Sequence, residues 1–333
     1  MIYRTMRHIK TFSLFESVQI LTPEQKNFLD KYTKGGSWSL NPSTGLVDLQ
    51  GNFDCAREGL NDLLGIRFGK APFKFYCNGN NLKSLVGAPQ TVGGDFSCNE
   101  NKLMSLEGAP QTVGGSFFCL INKLTSLAGA PGTVGGGFNC SDNNLKSLVG
   151  APQTVGGGFY CVNNNLKSLV GAPQTVEGSF SCVNNKLTSL VGSPQIVGGE
   201  FACEGNELTS LDGAPQTVGG GFSCYNNSSL TSLAGAPETV KGRFSSDSLK
   251  IPKGKWSIGT LMDIFFTGTP NQQQLVAPLV DPKVIQQQID ENPEGMLIKL
   301  KDVLKHPQFQ ELKWPERLEQ EKGLLSDLGD VGL

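Results

Sequence analysis

Nine cysteines and two histidines are the side chains of this 333-residue chain best suited to act as nucleophiles, metal ligands or proton carriers. Their spacing decides which of those chemistries is open to them. The histidines, His8 and His306, stand near opposite ends, so acid–base catalysis built on imidazole has little to work with. The cysteines are Cys55, Cys77, Cys98, Cys119, Cys140, Cys161, Cys182, Cys203 and Cys224, separated by 22 residues at the first step and by 21 at every later one. Zinc sites and disulfide frameworks use close, uneven spacings. An even period instead puts one cysteine in each structural repeat. The cysteines therefore read as small buried hydrophobes in a strand ladder, and their odd number and parallel alignment argue against a disulfide framework. A reducing compartment fits them best.

The remaining candidates for chemistry are thinner. Gly114-Gly115 and its copies look like a phosphate cradle, but no Lys-Ser/Thr follows. Glu100, Asp142, Glu204 and Asp212 lack the spacing of a calcium loop. With no catalytic constellation in sight, the chain reads as a non-enzyme without cofactor or metal.

Aligning the chain on its cysteines exposes the elements that position them. The unit is 21 residues, as in 103–123, with the frame L-x-S-L-x-G-A-P-x-x-V-G-G-x-F-x-C-x-x-N-x. It recurs from Phe75 to about Phe244, with one residue inserted at Ser228-Ser229 and Ser246 where the next cysteine would fall. A degenerate copy precedes it, comprising Phe53, Cys55, Leu60, Leu63, Gly65, Ile66 and Phe68, with Glu58 in place of the asparagine. F-x-C reads as a short strand with Phe and Cys inward, and the following asparagine as the start of a bend. One repeat cannot bury its own apolar face, so stacked repeats must share a core, one parallel strand added per repeat. The asparagines would stack as a second ladder, satisfying backbone groups that the bend removes from the sheet. The single glycines at 87, 108 and 129, and the glycine pairs, are expected at positive φ, and the prolines at 89, 110 and 131 should stiffen the return.

This frame resembles leucine-rich repeats, with Phe117, Cys119, Asn122 and Leu124 on the second, third, Asn and last-Leu positions of their L-x-x-L-x-L-x-x-N-x-L core. The L-x-S-L-x-x-x-P return resembles the short repeats of secreted bacterial effectors. Some of those carry a C-terminal ubiquitin ligase that needs a catalytic cysteine. Residues 250–333 contain none, so that activity is not implied. The Gly-Ala-Pro…Val-Gly-Gly units also resemble repeats of uncharacterised phage and environmental viral proteins. Near the N-terminus, the segment from Met6 to Glu16 is similar to leader peptides of proteins packaged in the heads of T4-like tailed phages. The resemblance implies cleavage after Leu14-Phe15-Glu16, before Ser17.

The fold expected is mainly β: a leucine-rich-repeat solenoid with a helical N-terminal cap and a small all-α C-terminal domain. Residues 1–20 form a leader or extension, 21–52 the cap, 53–248 the solenoid of about nine repeats and 249–333 the helical domain. In the cap, Thr22-Pro23-Glu24-Gln25 marks a helix start, running to about Tyr32, and Trp38 to Leu49 an irregular strand. Thr269-Pro270, Asp281-Pro282 and Asn292-Pro293 mark helix starts in the C-terminal part.

Composition narrows the function classes. The 28 basic residues against 30 acidic ones exclude a strongly basic nucleic-acid binder. No apolar run reaches the ~20 residues of a membrane span. What varies within the repeat points to a protein partner. The residues flanking each cysteine should face solvent, and Phe118, Leu120, Tyr160, Val162 and Val183 then form an apolar patch, with Tyr76 and Tyr225 nearer the ends. The expected function is a non-enzymatic scaffold for protein–protein interaction, a virion-associated or packaged phage protein. The alternative is an effector in the host cytoplasm that binds a host protein through the same face. The oligomeric state is left open.

Overall fold

The computed structural model describes residues 20–230 and 235–246. Leu14, Glu16 and Ser17, and the helical domain expected over 249–333, lie outside the described residues.

The cap begins where the sequence places it. Helix α1 spans Pro23–Tyr32. The Thr22 hydroxyl accepts from the Gln25 amide at 3.2 Å and the Gln25 side chain accepts from the Thr22 amide at 2.8 Å, so two otherwise unpaired donors are satisfied reciprocally. The Gln25 side-chain amide also donates to the Leu64 carbonyl at 2.8 Å, tying the helix to the first coil. Phe28, Leu29 and Tyr32 face the core. Strand β1 (Thr33–Lys34) then pairs antiparallel with β4 (Asn52–Asp54), so the sheet ends in a two-residue edge strand that offers little for another chain to pair with. The expected single irregular strand is in fact a hairpin, β2 (Trp38–Leu40) against β3 (Val47–Leu49). Asn41 turns the chain by accepting from the amides of Ser43 and Thr44, and Gly45 supplies φ 68°.

From Phe53 to Ser245 the described chain is a parallel β-solenoid of about nine turns. One sheet has 11 strands: β1, β4 and the nine Phe-x strands from Phe75–Tyr76 to Phe244–Ser245. The sequence reading allowed one strand per repeat; each full coil has two. The second is the Thr–Val pair, as in Thr112–Val113, with threonine outward and valine buried. Its two residues are too short to announce themselves by alternation. The core between the layers is continuous. The rings from Phe75 to Phe244 follow one another at 5.1–5.6 Å, mostly stacked, and Phe96 to Phe222 are fully buried.

The asparagine ladder is present and each rung does two jobs. The Asn164 side-chain amide donates to the carbonyls of Cys161 and Val162 in its own coil and of Cys140 in the coil before. Its oxygen accepts from the Leu145 amide at 3.0 Å. Removing such a side chain strands buried backbone groups, at a cost of ~1–3 kcal/mol. Two residues after each of the nine cysteines the backbone is left-handed, and that column holds mostly Asn, Asp and Gly, which tolerate it. Arg57, Glu100 and Ile121 are the exceptions, each at roughly 1–2 kcal/mol for its Cβ clash, and β-branched Ile121, at φ 53°, is the least suited.

The glycine pairs correct one expectation. Positive φ belongs to the single glycines, such as Gly108 at 85°, and not to the pairs. A Cβ on the first glycine of a pair would stand 2.3 Å (Gly114) or 2.2 Å (Gly135) from the carbonyl oxygen one coil below, so the pairs exist for close approach. Glu177 takes that position in one coil, and there the second sheet breaks into five- and four-stranded parts. Lys241 keeps its pairing at the same place in the last described coil.

Candidate functional site

All nine cysteines are free and buried. The Cys161 thiol donates to the Ser181 carbonyl at 3.4 Å, and six others make the same contact with the next coil. Burial raises the thiol of Cys55 to about 12 and pushes those of Cys77, Cys98, Cys119, Cys140, Cys161, Cys182 and Cys203 well up. Such thiols are poor nucleophiles. Among the described residues, no group of three His, Cys, Asp or Glu side chains could hold a metal ion. An open cleft of ≈ 530 Å³ lies beside the hairpin, lined by Asp48, Arg67 and Lys70 among others. The Asp48 carboxylate is already engaged by the Lys70 amide and the Asn41 side chain.

The outer face of the 11-stranded sheet carries the residues singled out by the sequence. Because Phe and Cys point inward, the residues between and after them form two outward columns. Tyr160 and Tyr225 are exposed, at 37% and 44%, whereas Tyr76, Phe118, Leu120, Val162 and Val183 are half-buried. Other members of these columns do not face solvent as expected: Ser97, Ser141, Glu204 and Ser223 are each under 9% exposed. Neighbours in a column are only ~4.8 Å apart, so Ser97 sinks between Tyr76 and Phe118. Ser141, between Leu120 and Val162, accepts from the Val162 amide at 3.2 Å. Among the described residues, the hydroxyl of Ser223 and one oxygen of Glu204 have no hydrogen-bond partner.

Two local arrangements shape this face. The outer atoms of the Tyr160 ring would stand 2.5–2.7 Å from a Cβ on Gly158, so the ring lies over that glycine and would have to swing aside for any larger residue there. At the N-terminal side, Tyr76 is committed within the molecule. Its hydroxyl donates to Asp95 at 3.2 Å, and the Lys74 ammonium sits 5.6 Å from its ring centroid and 3.2 Å from the same carboxylate. Burial pushes the Asp95 carboxyl up, but the Ser116 amide and the Lys74 and Tyr76 side chains outweigh it and hold it below its ordinary value. The Lys74–Tyr76–Asp95 cluster was missed in the sequence. Its signal is that Lys74 and Asp95 fall at equivalent positions of adjacent repeats.

No family model, no curated protein and no solved structure matches the chain. The site therefore rests on its own geometry. What that geometry offers is an apolar ridge, Tyr160, Val162 and Val183 in adjacent coils with Phe118 and Leu120 two coils away, on a rigid sheet.

Proposed function

We propose that the protein is a non-enzymatic scaffold of leucine-rich-repeat type that holds a protein partner on the outer face of its long sheet, as a virion-associated phage protein. The observation that carries the binding reading is where the repeats depart from their frame. Core positions are nearly invariant along the chain, while Phe118, Leu120, Tyr160, Val162 and Val183 break the frame on the outer face and stay at least partly exposed. Identical coils cannot discriminate between partners, so specificity must reside in such departures. The virion reading is supported by the leader-like Leu14-Phe15-Glu16 and the resemblance of the repeats to viral ones.

Both halves have a test. In purified particles, mass spectrometry should find the chain beginning at Ser17. Its absence from particles would favour a cytoplasmic effector, and an intact Met1 would remove the leader reading alone. Phe118→Ser combined with Tyr160→Ser should weaken capture of the partner at least tenfold, as for loss of aromatic anchors worth ~2 kcal/mol, with the melting temperature little changed. Undiminished capture by that variant would place the docking element elsewhere.

A further inference from the structure

Overall charge balance hides a strongly patterned face. Between residues 73 and 248 the chain has nine basic residues, and six of them fall on one stretch of the coil. These are Lys83, Lys102, Lys123, Lys146, Lys167 and Lys186, one in each of six consecutive coils. Each occupies either the position after the ladder asparagine or the position two residues later. A single inward leucine separates those positions, so both side chains leave the coil on the same side. Where one position loses its lysine the other supplies it. All six are exposed, and none forms an ion pair with a described residue. In-register stacking sets them ~4.8 Å apart along a line of ~24 Å. In the next coil Glu207 takes the lysine's place and the stripe ends.

Three or five residues further along the coil runs a row of exposed aliphatics: Val86 (68%), Val149 (62%), Val170 (50%) and Val191 (52%). Three carboxylates border the stripe. Asp142 accepts from Asn163 and Glu100 from Asn99, and Glu107 interrupts the valine row. Six ammonium groups against these three leave the face positive.

We propose that this stripe seats the protein peripherally on an anionic lipid bilayer. The charges are all lysine, point charges that suit a diffuse anionic surface, and none is arginine, whose planar fork suits bidentate phosphate or carboxylate recognition. No aromatic side chain lies among them to stack on a nucleobase. A neighbouring row of exposed valines has no use against a phosphate backbone, but it can enter the apolar boundary beneath lipid headgroups. A straight ridge also meets a plane along its whole length. This surface is distinct from the outer sheet face, so the two can be occupied independently.

The experiment uses the full chain and sedimentation with vesicles. Binding is expected to phosphatidylcholine vesicles containing phosphatidylserine and not to phosphatidylcholine alone. It should weaken as salt shortens the Debye length from ~10 Å at 0.1 M to ~3 Å at 1 M. Each lysine near an anionic surface multiplies partitioning roughly fivefold. Lys102→Gln, Lys123→Gln, Lys146→Gln and Lys167→Gln together should therefore lower it by roughly 100-fold or more. The milder pair Lys146→Gln with Lys167→Gln should lower it roughly 25-fold, and reads the effect if the larger variant folds poorly. A control that removes equal charge elsewhere, at Lys26, Lys34, Lys70 and Lys241, should change partitioning less than about fivefold. The proposal is overturned by a wild-type chain that ignores the anionic vesicles, or by equal losses in stripe and control variants. A wild-type chain that retards duplex DNA while ignoring the vesicles also overturns it, in favour of a phosphate polymer.

Discussion

Raising the pH through about 9 to 10.5 should unfold the solenoid abruptly. Eight of its buried thiols are held protonated by desolvation, with Cys55 at about 12 and the others raised further or to similar extent. In the unfolded chain each would titrate near ~8.5. The sign follows from linkage. Below that value both states keep their protons and the thiols leave stability unchanged. Above it only the unfolded state loses protons, so stability falls by ~1.4 kcal/mol per pH unit for each thiol. Eight together approach ~11 kcal/mol per unit, comparable with the whole stability of an ordinary domain. Cys98→Ala with Cys140→Ala and Cys182→Ala should lower that slope by about three eighths. Alkaline titration followed by far-ultraviolet circular dichroism checks both statements. A slope indifferent to these substitutions would mean that the thiols are not the titrating groups.

Phe159→Ala is the point substitution expected to cost most. The ring is fully buried near the middle of the ladder, with Phe180 stacked on one side and Phe138 tilted against the other, both at 5.3 Å. Truncating such an aromatic costs ~3–5 kcal/mol, through lost burial and the cavity left behind. Because each coil is supported only by its neighbours, a weak central coil also uncouples the two halves of the array. Urea unfolding should report the loss and a broader transition. A loss under ~1 kcal/mol would mean that Phe159 is not a core residue.

What could be read in the sequence was whatever repeated. The 21-residue period placed Phe159 and Cys161 in the core, and the asparagines at 80 to 227 in a bend ladder, because stacked copies must put equivalent residues in equivalent places. Thr22 and Pro23 announced the cap helix for a local reason, the pairing of a capping hydroxyl with Gln25. Features that depend on distances between coils were not legible. The Gly114 column looked like turn glycines, yet the constraint is a carbonyl one coil away. The Thr112–Val113 strand is too short to show a period. Burial of Ser97 on a nominally exposed face comes from its large neighbours in the same column, Tyr76 and Phe118. The hairpin across Asn41 to Gly45 did carry a signal, a short loop ending in glycine between two apolar stretches, but its proline and irregular flanks read as a single broken strand.

Thiol labelling tests most directly whether the residues best able to do chemistry are architecture. The native protein is treated with a small alkylating reagent at neutral pH, and each cysteine is read by mass spectrometry against a sample unfolded in guanidinium. Cys77, Cys98, Cys119, Cys140, Cys161, Cys182 and Cys203, all at 0% exposure, should stay unmodified while the native fold persists and react fully once it is lost. Rapid native modification of several of them would contradict the inward register, and with it the solenoid core and the outer face that register defines.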